Sequence, residues 1–320
     1  MTWTIVLVHR GKQEYLDYNL KLLNRLNPHS DIILVGDESN ARLVEQSRRN
    51  RWFSIEDLAK DDTKYKSFID NYKHFSINKF SHERFCFERW FILLNLAKTT
   101  QLHKFVYIDS DNFLLVPPNR LLETYTDYDY GQTFDPFAPE FIFFERLDAL
   151  REFCNYIDNL YANDHETVLK VVLKNTAKIW GGTHPSGSSF HFSDMWAMLD
   201  FWENTQGNEN QIYQFQTQKF KHVCLQECMP DASINIHSFN EYKSNIYRFD
   251  GKGSEVSVLH KGKWKRVNMI HFQGNSKRYI GDFYLQFLRA VNGRKQFQCK
   301  ILPPSEKSIF KKVKALLARS

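Results

Sequence analysis

No stretch of the 320-residue chain approaches the roughly 18 consecutive apolar residues that a membrane-spanning helix needs. The opening MTWTIVLVHRGK has only a short apolar run and no basic segment before it, so it does not read as a secretory signal. Both absences predict a chain that stays on the cytosolic side of the membrane. Cysteine is scarce and dispersed: Cys86, Cys154, Cys224, Cys228 and Cys299. An odd, scattered set argues against a disulfide framework and for reduced thiols. His222, Cys224 and Cys228 suggest a metal knuckle, but no second Cys/His pair at zinc spacing follows them. A basic face is missing too. The formal net charge is +6, and the last residues hold much of it: Lys307, Lys311, Lys312, Lys314 and Arg319 stand against Glu306. The remainder is nearly balanced, which excludes a general nucleic-acid binder. There is no internal repeat and no low-complexity linker.

What is present is enough to build one large domain. Hydrophobic residues make up 42% of the chain, and the 27 phenylalanines and 15 tyrosines read first as core. Residues 3–8 form a short apolar strand, 13–26 carry apolar residues at helical spacing, Asn27-Pro28 stops that helix, and 31–35 form a second strand before Gly36-Asp37. A strand–helix–strand opening predicts a parallel α/β sheet. Residues 60–80 are charged and irregular and read as a loop. Ser81 is placed to cap a long helix reaching about Lys98, which feeds the strand FVYID. Pro117-Pro118 ends that strand region, and 119–124 read as a short helix. Strands are expected at 129–134 and 141–144, and a helix up to about 161. GGTHPSGSS (181–189) is a loop, and FHFSDMWAMLDFW reads as a helix after it. Between 245 and 272 the pattern alternates around DGKG and KGK, which predicts a hairpin or small meander.

The chemistry concentrates at FVYIDSDNFLL. Phe105 to Ile108 is wholly apolar, as in a central parallel strand, and the carboxyl ends of such strands face the ligand crevice. Alternation along an extended segment would point Asp109 and Asp111 the same way. Two like charges side by side call for a cation, and carboxylate oxygens suit Mg²⁺ or Mn²⁺. The bland alternative is that one aspartate serves a cap or turn and the other is solvated. A second pattern follows far downstream. RVNMIHF ends a strand at His271 and continues as HFQGNSKRY, so His271, Gly274 and Lys277 fit HxxGxxK. A histidine at a strand end suits a metal, a glycine admits a phosphate to the backbone, and a lysine meets its charge.

In this order and spacing the two motifs resemble those of the GT-A-fold glycosyltransferases of the glycogenin and lipopolysaccharide galactosyltransferase type (family 8-like). That family carries YLDxD and HxxGxxKPW; here Tyr107 to Asp111 matches the first closely, and Arg278-Tyr279 replaces Pro-Trp in the second. The resemblance covers about residues 1–280. It implies a Rossmann-like, mostly parallel sheet flanked by helices over 1–300, with a small β-rich and helical C-terminal extension. It implies that Asp109, Asp111 and His271 hold Mn²⁺ or Mg²⁺, with Ser110 inside the motif, and that Gly274 and Lys277 touch the diphosphate of a nucleotide sugar, usually UDP-linked. His9 and Asp37 fall where the family binds the base and ribose, although the local sequence departs from the family there. The family's donor-side arginine corresponds to Arg84 or Arg89, the latter at the nearer spacing; a surface ion pair with Glu83 or Glu88 is the alternative. Asp194 falls in the segment facing the transferred sugar and, with Lys277, is the catalytic candidate; a first-turn aspartate favouring the helix dipole, with Ser193 as cap, is the alternative. Trp180, His184 and His191 are acceptor-side candidates. The implied reaction retains configuration and needs no protein nucleophile.

Residues 305–320 stand apart. Ser305 is a cap signal, and Ile309, Phe310, Val313, Leu316 and Leu317 share one helical face flanked by lysines. This reads as a basic amphipathic helix for an anionic membrane surface, or as a helix docked on the domain. The membrane reading implies a lipid-linked saccharide acceptor, as in bacterial surface polysaccharide or lipopolysaccharide synthesis. Two other readings compete. A haloacid-dehalogenase-like phosphohydrolase also places DxD after a strand, but on its first strand and without Phe113 where Thr or Val belongs. A non-catalytic nucleotide- or saccharide-binding protein on a transferase fold is the other.

Overall fold

A computed structural model of the chain describes residues 2–132, 139–180, 192–205, 222–224, 236–238, 245–250, 255–260, 262–272, 274–293 and 297–301. The elements run β1 (Thr4–His9), α1 (Glu14–Leu26), β2 (Ile32–Gly36), β3 (Asn50–Ser54), α2 (Ile55–Ala59), α3 (Thr63–Asn71), α4 (Phe80–Thr100), β4 (Phe105–Ile108) and β5 (Asn112–Leu114). They continue with α5 (Pro118–Leu121), β6 (Tyr130–Gln132), β7 (Phe141–Phe144), α6 (Leu147–Ala162), α7 (His165–Trp180), α8 (Asp194–Thr205), β8 (His222–Cys224) and β9 (Ile236–Ser238). The last are β10 (Asn245–Phe249), β11 (Val256–His260), β12 (Lys263–Val267), β13 (Met269–His271), α9 (Ile280–Gly293) and β14 (Phe297–Ile301).

The main sheet has the order β3-β2-β1-β4-β7-β6-β8. β1 to β4 pair in parallel, β7 is antiparallel to both β4 and β6, and β6 pairs with β8 in parallel. The sheet is therefore mixed and mostly parallel. Between their ends the central strands β1, β2 and β4 are apolar because both faces are covered. Val6, Val8, Ile33, Val35, Phe105 and Tyr107 pack on the side of α4, and Ile5, Leu7, Ile32, Leu34, Val106 and Ile108 on the side of α1. A second core forms where β10 to β12, β14 and α9 meet Phe113 and Ile270.

Several expectations need correction. Residues 60–80 contain α3, started by Asp62, whose side chain accepts from the backbone N–H of Lys64 and Tyr65, and anchored by the buried Phe68. Charges around a single anchoring aromatic hid that helix. α4 begins at Phe80 with Lys79 at its cap position, so Ser81 lies in its first turn and caps nothing. The short helix after Pro117 spans Pro118–Leu121. The meander expected at 245–272 is present as β10 to β12, and β14 closes its four-stranded sheet at the β10 edge; β13 leaves it to pair with β5 and β9 in a separate three-stranded sheet. No described helix is long and apolar enough to cross a membrane. The loop at 181–189 and the amphipathic segment 305–320 lie outside the described residues, as does Cys228.

Candidate functional site

The two motifs meet because β5 and β13 pair. Asn112 stands opposite His271 in an antiparallel register, and the Phe272 N–H donates to the Asp111 carbonyl (3.0 Å). Asp109 to Asn112 is not an extended segment but a turn, closed by Asn112 N–H to the Asp109 carbonyl (2.9 Å). Simple alternation therefore does not hold there. The two carboxylates nonetheless converge: ligand atoms of Asp109, Asp111 and His271 all lie within 4.8 Å of one another.

Two cations of the chain flank this group. Arg89 Nη1 donates to Asp109 Oδ1 (2.7 Å), and the Tyr107 hydroxyl donates to the same oxygen. Lys277 Nζ lies 2.9 Å from Asp111 Oδ2, while His271 Nε2 is 3.7 Å from Asp111 Oδ1. Each carboxylate thus commits one oxygen to a side-chain cation. Among the described residues no hydrogen-bond donor is directed at Asp109 Oδ2. A carboxylate oxygen from each aspartate and the His271 imidazole form an O, O, N donor set of the kind Mn²⁺ and Mg²⁺ accept, so the residues fit the metal that the resemblance implies. Burial would lower the Lys277 pKa, but Asp111, Tyr15 and Asp109 together more than offset it and the ammonium is favoured.

Arg89 is the structural pivot. It is buried, and besides Asp109 it donates to the Tyr107 hydroxyl (2.8 Å) and twice to Asp194 Oδ2 (2.6 and 3.2 Å). Trp90 Nε1 donates to the same Asp194 oxygen (2.9 Å). Burial pushes the Asp194 carboxyl up, and Arg89 opposes it. Burial also works against the Arg89 charge, but Asp194, Tyr107 and Asp109 more than compensate. Arg84, the other arginine considered, pairs with Glu88 (2.7 Å) and does not reach this group.

The turn is held from below by α1. Asn19 Nδ2 donates to the carbonyls of Ser110 (2.8 Å) and Asn112 (3.1 Å), and both Asn112 Nδ2 and Asp109 N–H donate to the Glu140 carbonyl (2.9 Å each). Ser110 Oγ sits 2.9 Å from His9 Nδ1 and 3.4 Å from the Tyr15 hydroxyl. Burial, followed by Lys277, lowers the His9 pKa, which keeps the ring neutral. Asp37 starts a short 3₁₀ turn and accepts from the Gly11 and Ser39 N–H groups. Burial would raise its pKa, but those bonds lower it overall. Gly274 opens the turn Gly274–Tyr279 at φ +58°, with nothing within 4 Å of where a Cβ would sit. Trp180 ends α7, and His184 and His191 lie outside the described residues.

Asn19 and Tyr15 were not picked out from the sequence. The signal for Asn19 was a polar residue within a buried apolar stripe of Leu16, Leu20 and Leu23. Asn19→Ala removes the clamp and leaves two carbonyls short of a donor. We expect it to cost about 1–3 kcal/mol of stability and to weaken Mn²⁺ binding by loosening the aspartate turn. Urea unfolding and a Mn²⁺ titration read the two effects; wild-type values in both would remove Asn19 from this role.

No family model and no curated protein sequence matches the chain. Among solved structures it is similar to mouse xyloside xylosyltransferase 1 in its apo form, with a TM-score of 0.51 and 10% identity over 86% of this chain and 99% of that one. It is also similar to galactosyltransferase LgtC in complex with donor and acceptor sugar analogues (TM-score 0.44, 13% identity, 91% of this chain and 95% of that one). A third is the bifunctional glycosyltransferase WbbM in its apo form (TM-score 0.47, 13% identity, 90% of this chain and 49% of that one). At these identities the likeness is one of fold: the chain has the α/β, Rossmann-like GT-A fold of the xylosyltransferase.

Proposed function

We propose that the chain is a metal-dependent glycosyltransferase. It would move a sugar from a nucleotide-sugar donor, UDP-linked, to a saccharide or lipid-linked saccharide acceptor. The observation that carries this reading is the β5–β13 pairing, which brings Asp109, Asp111, His271 and Lys277 together from positions some 160 residues apart. In this reading Asp109, Asp111 and His271 hold Mn²⁺ or Mg²⁺. Such a cation, when bound, supplies Lewis-acid stabilisation of the diphosphate leaving group. Lys277 adds its charge to the same phosphates, and the open backbone at Gly274 admits them closely. His9 and Asp37, at the ends of β1 and β2, stand on the side of the base and ribose, and His9 also sets the Ser110 side chain. Asp194 is 2% exposed and its Oδ2 takes three N–H bonds, so it acts as a positioning residue that fixes Arg89 against Asp109. Retention of configuration without a protein nucleophile belongs to the same reading. So does a role in bacterial surface polysaccharide or lipopolysaccharide synthesis, with residues 305–320 at an anionic membrane.

A thermal-shift panel of UDP-, GDP-, ADP-, dTDP- and CMP-sugars, with and without Mn²⁺, tests the donor class. A ligand that binds only the native state raises the midpoint by mass action. UDP-sugars raise it when Mn²⁺ is present. A flat panel, or a shift from a nucleotide sugar that is indifferent to the metal, would contradict the assignment.

A further inference from the structure

Beside the donor site lies a second group of potential ligands that shares no residue with Asp109, Asp111 or His271. Glu83 and Cys86 are three residues apart on α4 and therefore on one face. Asp194 opens α8 against that face. A carboxylate oxygen from each acid and the Cys86 thiol all lie within 4.8 Å of one another. Glu83 is 1% exposed. Its Oε2 accepts from Ser76 Oγ (2.8 Å) and Asn78 Nδ2 (2.7 Å), but its Oε1 is buried and finds no hydrogen-bond partner. An unpartnered buried carboxylate oxygen is costly, and the groups clustered within 4.8 Å of the Glu83 carboxylate are another acid and a thiol, at best a weak donor. Asp194 spends only Oδ2 on Arg89 and Trp90, leaving Oδ1 without a donor among the described residues. Among the described residues Arg89 is the one cation paired with Asp194, and it is shared with Asp109.

We propose that Glu83, Cys86 and Asp194 form a thiolate-containing site for a zinc-class divalent cation, which ties the first turns of α4 to the start of α8. A cation there gives Glu83 Oε1 its missing partner and balances the excess buried negative charge. Sulfur beside oxygen selects a borderline-soft ion over the Mg²⁺ or Mn²⁺ favoured by an all-oxygen and imidazole set. Metal–ligand distances of about 2.0–2.3 Å place neighbouring ligands roughly 3.3–3.8 Å apart, so modest side-chain movement closes the group. His82, one turn before Cys86, has Nε2 3.9 Å from Sγ and offers a fourth ligand from the exposed side. Burial, then the Asp194 charge, pushes the Cys86 thiol up, so the thiol keeps its proton until a cation displaces it. This proposal does not rest on sugar transfer.

Titration of the full chain with Co²⁺, followed by absorption, is the test. Thiolate ligation produces a sulfur-to-cobalt charge-transfer band in the near ultraviolet that the Asp109, Asp111, His271 set cannot give. We expect the band to saturate at one equivalent, to persist in Asp111→Asn, to vanish in Cys86→Ala and Cys86→Ser, and to bleach on adding Zn²⁺. Glu83→Gln should weaken Co²⁺ affinity at least tenfold. Far-ultraviolet circular dichroism checks that each variant is folded, and Zn²⁺ should raise the melting midpoint of the wild type but not of Cys86→Ser. Absence of the band in the wild type would overturn the site. So would a band that survives in both Cys86 variants, since it would belong to other cysteines.

Discussion

On the proposed function, Asp111→Asn is expected to lower sugar transfer by about a thousandfold in kcat while leaving the protein folded. Asp111 is almost wholly buried, and its two oxygens face Lys277 and His271. An amide keeps the shape but removes one of two negative charges from the donor set, so a divalent cation is held more weakly. It also removes the counter-ion that holds Lys277 in place. Charge stabilisation of a leaving group by a metal is worth several kcal/mol, and losing a single well-aimed electrostatic contact typically costs about 10²–10³ in rate. The fold survives because the contact joining the motifs is made by the Asp111 backbone carbonyl, which the substitution leaves intact. Steady-state kinetics with a UDP-sugar and a melting curve separate the two effects. Turnover within tenfold of wild type would show that Asp111 is not a metal ligand.

Arg89→Met strikes stability instead. The guanidinium bonds Asp194, Asp109 and Tyr107 and lies over the rings of Trp90 (5.1 Å) and Tyr107 (5.4 Å). Methionine keeps much of the stacking volume but leaves Asp194 charged, buried and bonded to Trp90 alone among the described residues. Removing one partner of a buried ion pair costs about 3–5 kcal/mol, whereas removing both with apolar residues of similar size is often close to neutral. The expected order of stability from urea unfolding is therefore wild type, then Arg89→Met/Asp194→Leu, with Arg89→Met lowest. A single variant within 1 kcal/mol of wild type, or a double variant no better than the single, would refute the buried-pair account.

How far the sequence could lead depends on the kind of information each feature carries. β1, β2 and β4 were legible because strands covered on both faces must be apolar throughout, and no polar residue interrupts Val6–Val8 or Phe105–Ile108. β3 was not, because at the sheet edge Arg51 is exposed and Trp52 and Phe53 are only half-buried. α7 also escaped: Val168, Val171 and Val172 are buried, but β-branched residues at those positions read poorly as helix. At the site, the acids, the histidine and the lysine could be found as two patterns, yet nothing local says that β5 and β13 pair. Between Arg84 and Arg89 only the nearer spacing of Arg89 in the resemblance favoured one over the other. Each lies near a glutamate on one helix, and only the sheet beneath α4 sends one to Glu88 and the other to Asp109 and Asp194. The missing partner of Glu83 Oε1 is a property of packing alone.

The central claim is that Asp109, Asp111 and His271 hold the cation that binds a nucleotide diphosphate. Calorimetric titration of UDP into the wild-type protein tests it most directly, run once with Mn²⁺ and once with EDTA. The account predicts a saturable isotherm with Mn²⁺ that disappears in EDTA, and a loss of at least tenfold in affinity for His271→Ala with Mn²⁺ present. Equal UDP binding in EDTA, or wild-type affinity in His271→Ala, would contradict it.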